Sequence, residues 1–177
     1  AVDGLARSQV IIFDKTGTLT TNELTVNHII TDTQVYNFSE TSSDKHQYDE
    51  LFHKLTNAIA LLEQHNINPE TLTAIKGNAT DTALCNFIQK CNVDISQIYA
   101  SSVFTTVPIT IKDRSIVTRC CIQNDEKILL MMGAPETIMS YCTISPTILN
   151  HYTALLQEGR RVIAVAQKVV KPSDTVI

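Results

Sequence analysis

Long apolar runs and clusters of basic residues are both missing from this sequence of 177 residues. A membrane-spanning helix needs about 18 consecutive apolar residues, whereas the longest apolar runs here, 128–134 and 162–166, have the length of a strand. The net charge is −4 and no Lys/Arg cluster stands out, which argues against binding to nucleic acid. No signal peptide is visible either. The hydrophobic fraction of 44% is that of an ordinary globular domain with a sizeable core.

Spacings typical of metal ligands are absent as well. The five cysteines are odd in number, and the adjacent Cys120 and Cys121 would point to opposite faces of a strand. We therefore expect reduced thiols in a core rather than a disulfide framework. None of the five histidines pairs with a cysteine or a carboxylate at metal-ligand spacing, so none is a predicted ligand.

The heptapeptide DKTGTLT, which begins at Asp14, is the most informative stretch that is present. Residues 10–13 before it are apolar and mostly β-branched, which predicts a buried strand of a parallel sheet with Asp14 at its carboxyl end. Open α/β sheets place their chemistry at that end. A carboxylate there can attack a phosphoryl group and hold it as an acyl phosphate, provided that a cation and nearby donors neutralise the charge. Lys15, Thr16 and a sharp turn at Gly17 supply such groups.

Lys15 separates two kinds of phosphoryl chemistry. Phosphatases with a related loop carry a second Asp at this position, and its general acid/base action lets water break the intermediate. Lys15 cannot do so at neutral pH, because its ammonium group stays protonated. The loop therefore favours a phospho-aspartate that persists long enough to drive another process.

DKTGTLT resembles the phosphorylation signature of the P-type ATPases, and the run 14–26 is most similar to the type II, calcium-pump-like branch. Phe13 departs from the Ser common before the Asp in that branch, and the His-Pro dipeptide of the heavy-metal branch is absent. The resemblance implies that ATP phosphorylates Asp14, that Lys15 and Thr16 support the phosphoryl group, and that Asp14 and Thr16 hold Mg²⁺.

Two further stretches are similar to the adenine-binding part of the family's nucleotide-binding insert. Residues 76–84 resemble its KGxxTExAL box, which puts Asp81 at the acidic position that approaches the adenine amino group. Phe104 corresponds in order to the aromatic residue that stacks on adenine. From the residues alone, Asp81 is equally typical of the first turn of a helix capped by Thr80, and Phe104 of a core strand.

Two later stretches complete the same order. Residues 132–136 resemble the KGAPE box, with Met132 in place of its Lys; Gly133 and Ala134 still let the backbone approach a ligand closely. Met supplies packing but no charge, so we expect weaker ATP binding than in the family. Residues 159–164 resemble the G-x-R-V-L-A segment, which implies that Arg161 reaches the nucleotide phosphates. A surface Arg at a strand start is the alternative.

The apolar periodicity predicts an α+β fold with an antiparallel β-sheet flanked by helices. Helices are predicted over 48–65, 80–90, 134–141 and 145–159. Strands are predicted over 24–30, 33–38, 103–109, 115–122, 127–132 and 161–169. The resemblance divides the chain into three parts. Residues 1–26 would be a short piece of an α/β haloacid-dehalogenase-like phosphorylation domain. Residues 27–169 would be the nucleotide-binding domain, and residues 170–177 a return hinge.

The resemblance thus implies the ATP-binding, cytosolic portion of a cation-transporting ATPase of a membrane, with Mg²⁺ as cofactor. Its partners would be ATP and the phosphorylation, actuator and membrane domains of the same polypeptide, and not nucleic acid. We expect a monomeric, excised piece that binds nucleotide without turnover. Two alternatives stay open: a haloacid-dehalogenase-type phosphatase or phosphotransferase, and a degenerate nucleotide-binding domain that keeps the fold without the ligand.

Overall fold

The computed structural model describes residues 10, 12–38, 48–68, 70–71, 73–75, 78–105, 116–123 and 126–171, and for residues 103–105, 116 and 123 it describes the backbone only. The helices are α1 (Glu50–Leu62), α2 (Ala79–Lys90), α3 (Ile95–Ala100), α4 (Pro135–Met139) and α5 (Pro146–Gln157). The strands are β1 (His28–Ile30), β2 (Val35–Asn37), β3 (Ser102–Thr105), β4 (Ile116–Gln123), β5 (Glu126–Gly133) and β6 (Ala164–Val169).

Four strands form one antiparallel sheet in the order β3-β4-β5-β6. The hairpin between β4 and β5 is in register, with Cys121 opposite Ile128, and β6 pairs along β5 from Gly133. Side chains on β5 alternate, so that Ile128, Leu130 and Met132 are buried. The predicted antiparallel meander is confirmed for these strands, while residues 106–115 lie outside the described part of the chain.

The core lies between this sheet and the helices α1, α2 and α3. Helix α1 contributes Ala58, Ile59, Leu61 and Leu62 to it, and α2 contributes Leu84 and Ile88. The helical period of three and four therefore located both faces correctly. Ala83, Leu84, Phe87 and Ile88, the apolar stripe of α2, are all buried, whereas Leu51 of α1 is exposed.

A short hairpin of β1 and β2 packs against the N-terminal end of α1. Ile29 lies opposite Tyr36 in the hairpin, and both side chains are buried. Asp49 is the N-cap of α1; its Oδ1 accepts a hydrogen bond of 2.8 Å from the N–H of Phe52, and the hydroxyl of Thr33 donates to its Oδ2. The cap therefore links the hairpin to the helix. The hairpin was predicted, with strands longer than those observed.

The buried strand predicted over residues 10–13 is wrong in this structure. Val10 is 76% exposed, Ile12 is 91% exposed and Phe13 is 59% exposed, and residues 12–14 adopt no strand. A strand of a buried parallel sheet needs a neighbouring strand and cover on both faces, and the described residues place no strand beside this segment. Asp14 consequently does not follow a strand among the described residues, and the haloacid-dehalogenase-like piece stays a prediction because residues 1–9 and 11 lie outside the description.

Two smaller corrections concern the end of the chain and a missed helix. The last strand begins at Ala164 and not at Arg161, because residues 160–163 cross from the end of α5 to the sheet without pairing in a ladder. Helix α3 was not predicted, since six residues are too few to show a helical period. The signal for it is Asp94, whose side chain caps the helix by accepting from the N–H of Gln97 at 2.9 Å.

Candidate functional site

A cavity of about 550 Å³ opens between the segment that leads into β1, the four helices α1, α2, α4 and α5, and the approach to β6. Its lining consists of residues 23–30, Leu55 and Ile59 of α1, Thr80, Ala83 and Leu84 of α2, Met132, Pro135, Met139, Ile148, Tyr152 and Leu155, and residues 159–165. This volume lies in the range of sites that bind small molecules.

Apolar side chains form the inner wall of the cavity. Met132 is 5% exposed and packs in the core cluster with Ile59 and Leu84. Ile163 and Val165, which are partly buried, pack against the same cluster. The wall therefore offers apolar surface and a polarizable thioether, and Met132 brings no charge to the position where the family's box has Lys.

The polar edge of the cavity is set by the turn that ends α5. Gly159 has φ of +70° and follows the C-cap Glu158. The N–H of Gly159 donates to the carbonyl of Leu156 at 2.9 Å, and the N–H of Arg160 donates to that of Leu155 at 3.0 Å. These two bonds make a Schellman motif, in which a left-handed residue stops the helix. The chain then turns and carries Arg160 and Arg161 to the cavity.

Arg161 lies against the first turn of α2. Its Nη1 donates a hydrogen bond of 3.3 Å to Oγ1 of Thr80, although the two residues are 81 positions apart. Arg160 forms a pair with Glu158, with Nε 3.4 Å from Oε2. Arg161, the residue predicted to reach the phosphates, thus meets the helix that contains most of the predicted adenine box. Its positively charged guanidinium makes this edge suitable for an anion.

Asp81 caps the helix and does not line the cavity. The side chain of Asn78 accepts from the N–H groups of Thr80 at 2.8 Å and of Asp81 at 3.2 Å, and Asp81 Oδ2 accepts from the N–H of Asn78 at 3.2 Å. This reciprocal pattern is a capping box. The alternative in which Asp81 stands in the first turn of a helix matches this geometry, but the cap is Asn78 and not Thr80, because the extended backbone of Asn78 puts its amide oxygen over the first turn.

The other predicted nucleotide residues lie beside the cavity or outside the description. Gly133 ends β5 and Ala134 is the N-cap of α4, without a side-chain bond. Neither lines the cavity, although Met132 and Pro135 on either side do. The backbone of Phe104 pairs with Cys121 in the sheet, and its side chain lies outside the described atoms.

The loop of Asp14, Lys15 and Thr16 is a separate, exposed turn. The carbonyl of Lys15 accepts from the N–H groups of Leu19 at 3.0 Å and Thr20 at 3.1 Å, and Gly17 has φ of +81°. The N–H of Thr16 lies 3.4 Å from Asp14 Oδ1. The turn presents the carboxylate of Asp14 to solvent, and none of the three predicted catalytic residues lines the cavity.

Two polar residues escaped the sequence analysis, Tyr152 in the lining of the cavity and Glu63 in the core. The hydroxyl of Tyr152 donates to Glu136 Oε1 at 2.5 Å, and this bond raises the pKa of Tyr152 and lowers the pKa of Glu136. Glu63, at the end of α1, is buried, and its Oε2 accepts a bond of 2.8 Å from Nδ2 of Asn66. Neither residue stands in a motif, so no local signal marked them.

Within the described part of the chain, no group of three or more His, Cys, Asp or Glu side chains could hold a metal ion. The free thiols there include the buried Cys85, Cys120 and Cys121, as expected of core cysteines. Searched over the same residues, the helices include none with the length and apolar character of a membrane span.

An antiparallel sheet flanked by helices, with a cavity of small-molecule size edged by arginine, defines the class of this chain as an α+β domain. The chain belongs to the P-type ATPase family, whose model for the cytoplasmic domain N matches residues 51–175. It is 32% identical over 158 residues to a potassium-transporting ATPase alpha chain 2 of Oryctolagus cuniculus, covering 81% of this chain and 14% of that protein.

Two other relatives are similar over the same region. A sodium/potassium-transporting ATPase subunit alpha-1 of Anguilla anguilla is 30% identical over 166 residues, which cover 85% of this chain and 16% of that protein. A calcium-transporting ATPase of Listeria monocytogenes is 30% identical over 145 residues, which cover 81% of this chain and 16% of that protein. The match thus spans about a seventh of the length of these relatives.

Proposed function

We propose that the cavity binds ATP and that, in the intact cation-transporting ATPase, Asp14 accepts the γ-phosphate of that ATP. The observation that carries the proposal is the contact between Arg161 and Thr80 at the edge of a cavity whose inner wall includes Met132 and other apolar side chains. An apolar wall suits the faces of a purine, and a guanidinium suits the phosphates. The membership in a family of ATP-driven cation transporters supports ATP as the ligand.

In this proposal the Asp14 loop performs the transfer. A carboxylate oxygen of Asp14 attacks the γ-phosphorus, the bond from that phosphorus to the bridging oxygen breaks, and ADP leaves with the electron pair. The ammonium of Lys15 offsets the negative charge that collects on the phosphoryl oxygens. Because Lys15 cannot activate water, the acyl phosphate would persist and could drive ion transport, which distinguishes this loop from that of a phosphatase.

Mg²⁺ fits this loop by the chemistry of its oxygens. Asp14 offers an exposed carboxylate and Thr16 an exposed hydroxyl. Mg²⁺ typically takes one or two carboxylates together with phosphate oxygens and retains several waters, so one protein carboxylate is sufficient. When bound, the ion would neutralise charge between the β- and γ-phosphates.

The transported cation stays open within this proposal. Relatives named for potassium, sodium/potassium and calcium transport match with similar identity, so the similarity of the run 14–26 to the calcium-pump branch remains a prediction. The degenerate alternative, a fold that has lost its ligand, is supported by Met132 and by the use of Asp81 as a helix cap. It makes the opposite prediction for nucleotide binding.

Isothermal titration of the 177-residue chain with ATP tests the proposal. Replacing Arg161 by Gln should weaken ATP affinity about tenfold, because one charge-assisted hydrogen bond contributes about 1.5 kcal/mol. Adenosine affinity should not change. The matched control is Lys168→Gln, which removes the same charge from the exposed part of β6. Equal losses in both variants would mean that only the net charge matters, and absence of binding at millimolar ATP would favour the degenerate alternative.

A further inference from the structure

Helix α5 forms one wall of the cavity, and it is packed differently from the walls that α1 and α2 supply. Its side chains Ile148, Tyr152 and Leu155 line the cavity. Ile59 of α1 and Leu84 of α2 also line it, and both belong to the hydrophobic core. Every residue of α5 is described and none is buried; among the described residues that form the core or pack against it, none belongs to α5.

This difference in packing has a consequence for local stability. A helix in a protein is held in place mostly by an apolar face that packs against the core. In α5 the apolar face borders the cavity instead. Regions with few buried apolar contacts open locally at a free energy well below that of global unfolding. We therefore expect α5 to detach more readily than α1 or α2, whose side chains Ile59 and Leu84 lie in the core.

A side-chain hydrogen bond joins the middle of α5 to α4. The hydroxyl of Tyr152 donates to Glu136 Oε1 at 2.5 Å. Glu136 stands in the first turn of α4, and the buried side chains of Pro135 and Ile138 anchor that helix. A hydrogen bond to an ionised carboxylate is stronger than one between neutral groups, and this bond lowers the pKa of Glu136, so the carboxylate is charged at neutral pH. Tyr152 therefore ties α5 to a fixed part of the molecule.

We propose that α5 is a movable wall of the cavity and that the hydrogen bond between Tyr152 and Glu136 is the latch that keeps this wall closed. When the bond breaks, α5 moves away from α4 and the interior of the cavity becomes accessible to solvent. The turn at Gly159 joins α5 to Arg160 and Arg161, so opening also displaces the arginine edge of the cavity. The device does not depend on which ligand the cavity binds, and it therefore goes beyond the proposed function.

Thiol labelling of the 177-residue chain, read by mass spectrometry, measures the opening. Ala83→Cys puts a thiol on the α2 wall of the cavity, and the native Cys85 is a buried thiol that does not line the cavity. Adding Tyr152→Phe removes the latch hydroxyl and keeps the ring. It should raise the labelling rate at position 83 about three- to tenfold, the scale of one charge-assisted hydrogen bond, and leave the rate at Cys85 unchanged. The matched control Tyr141→Phe, at an exposed tyrosine outside α5, should alter neither rate.

Amide hydrogen exchange is the second measurement, and it keeps the test available if Ala83→Cys does not fold. A detached helix of 12 residues is marginally stable in water, so the amides of α5 should exchange faster in Tyr152→Phe while those of α2 keep the parent rate. Combining Tyr152→Phe with Glu136→Gln should add no further opening, because the two residues share one bond. An unchanged labelling rate at position 83, an equal rise at Cys85, or unchanged exchange in α5 would overturn the proposal.

Discussion

Glu63 is the C-cap of α1 and is only 2% exposed. It is the one buried acid among the described residues. Burial raises its pKa above the ordinary value of 4.5, while the bond from Asn66 acts in the opposite direction. The nearby carboxylate of Asp81 adds to the rise. At neutral pH the folded chain therefore either keeps a proton on Glu63 or bears the cost of a buried charge.

The pH dependence of stability should reveal the raised pKa of Glu63. Because the folded pKa exceeds the unfolded value, the folded state binds more protons between the two, and the free energy of unfolding should fall as pH rises from 4.5 through the raised pKa. Glu63→Gln, which keeps an acceptor for Asn66, should be more stable than the parent at pH 7 and should lose this slope. Urea unfolding from pH 4 to pH 8 measures it, with the exposed Glu126→Gln as control; parallel curves for parent and Glu63→Gln would contradict the account.

Met132 is the residue whose replacement should alter ATP binding most informatively. Met132→Lys places an ammonium at the floor of the cavity, and we expect ATP affinity to rise about five- to tenfold through attraction to the phosphates or ring nitrogens. Met132→Leu conserves volume and should change affinity less than twofold. Titration calorimetry compares the three proteins. Unchanged affinity in Met132→Lys would mean that this position does not face the nucleotide.

At the scale of elements, the Schellman turn after α5 positions the arginines. Nothing lies within 4 Å of a Cβ built on Gly159, so the cost of Gly159→Ala comes from its φ of +70° and not from a clash. We expect a loss of about 1–2 kcal/mol in unfolding free energy, since an L-residue with a side chain is strained there. Weaker ATP binding should accompany it as Arg161 shifts.

Gly159→Asn is the matched control, because Asn tolerates the left-handed region better than Ala does. Its stability and its ATP affinity should lie between those of the parent and Gly159→Ala. Denaturant unfolding and titration of the three proteins measure both quantities. If Gly159→Ala were as stable as the parent, the turn would not depend on glycine.

The elements differ in how well the sequence predicted them, for physical reasons. Helices α1 and α2 were predicted because a long amphipathic period survives in any tertiary context. The strand at residues 10–13 was predicted from an equally clear apolar run, yet Ile12 is exposed. A run of four apolar residues says only that burial would be favourable, and burial needs neighbours that the pattern does not contain.

The candidate site was predicted less completely than the fold. Arg161 and Met132 both line the cavity, while the contact of Arg161 with nucleotide phosphates stays a prediction. Asp81 was assigned by its motif, but the local competition for the first turn of α2 binds it to Asn78. A motif indicates the residue type at a position, but it does not show whether the carboxylate of Asp81 binds a ligand or the N–H of Asn78.

At the scale of the whole molecule, the cavity is a tertiary feature. Its walls come from residues 23–30, from α2, from β5 and from the turn at 159–165, which are far apart in the sequence. The Asp14 loop lies nine positions before Glu23, so a chain of at most about 3.5 Å per residue connects the predicted acceptor to the cavity. The Asp14 loop is therefore connected to the wall of the cavity by a short stretch of chain.

Carbon-13 NMR of the methionine methyl groups tests the central claim, ATP binding in this cavity, most directly. The chain has three methionines: Met132 and Met139 line the cavity, while Met131 lies on the other face of β5 and does not. ATP should shift the methyl signals of Met132 and Met139 along one saturating curve and leave that of Met131 in place. Signals that all stay fixed at saturating ATP, or a shift confined to Met131, would contradict the account.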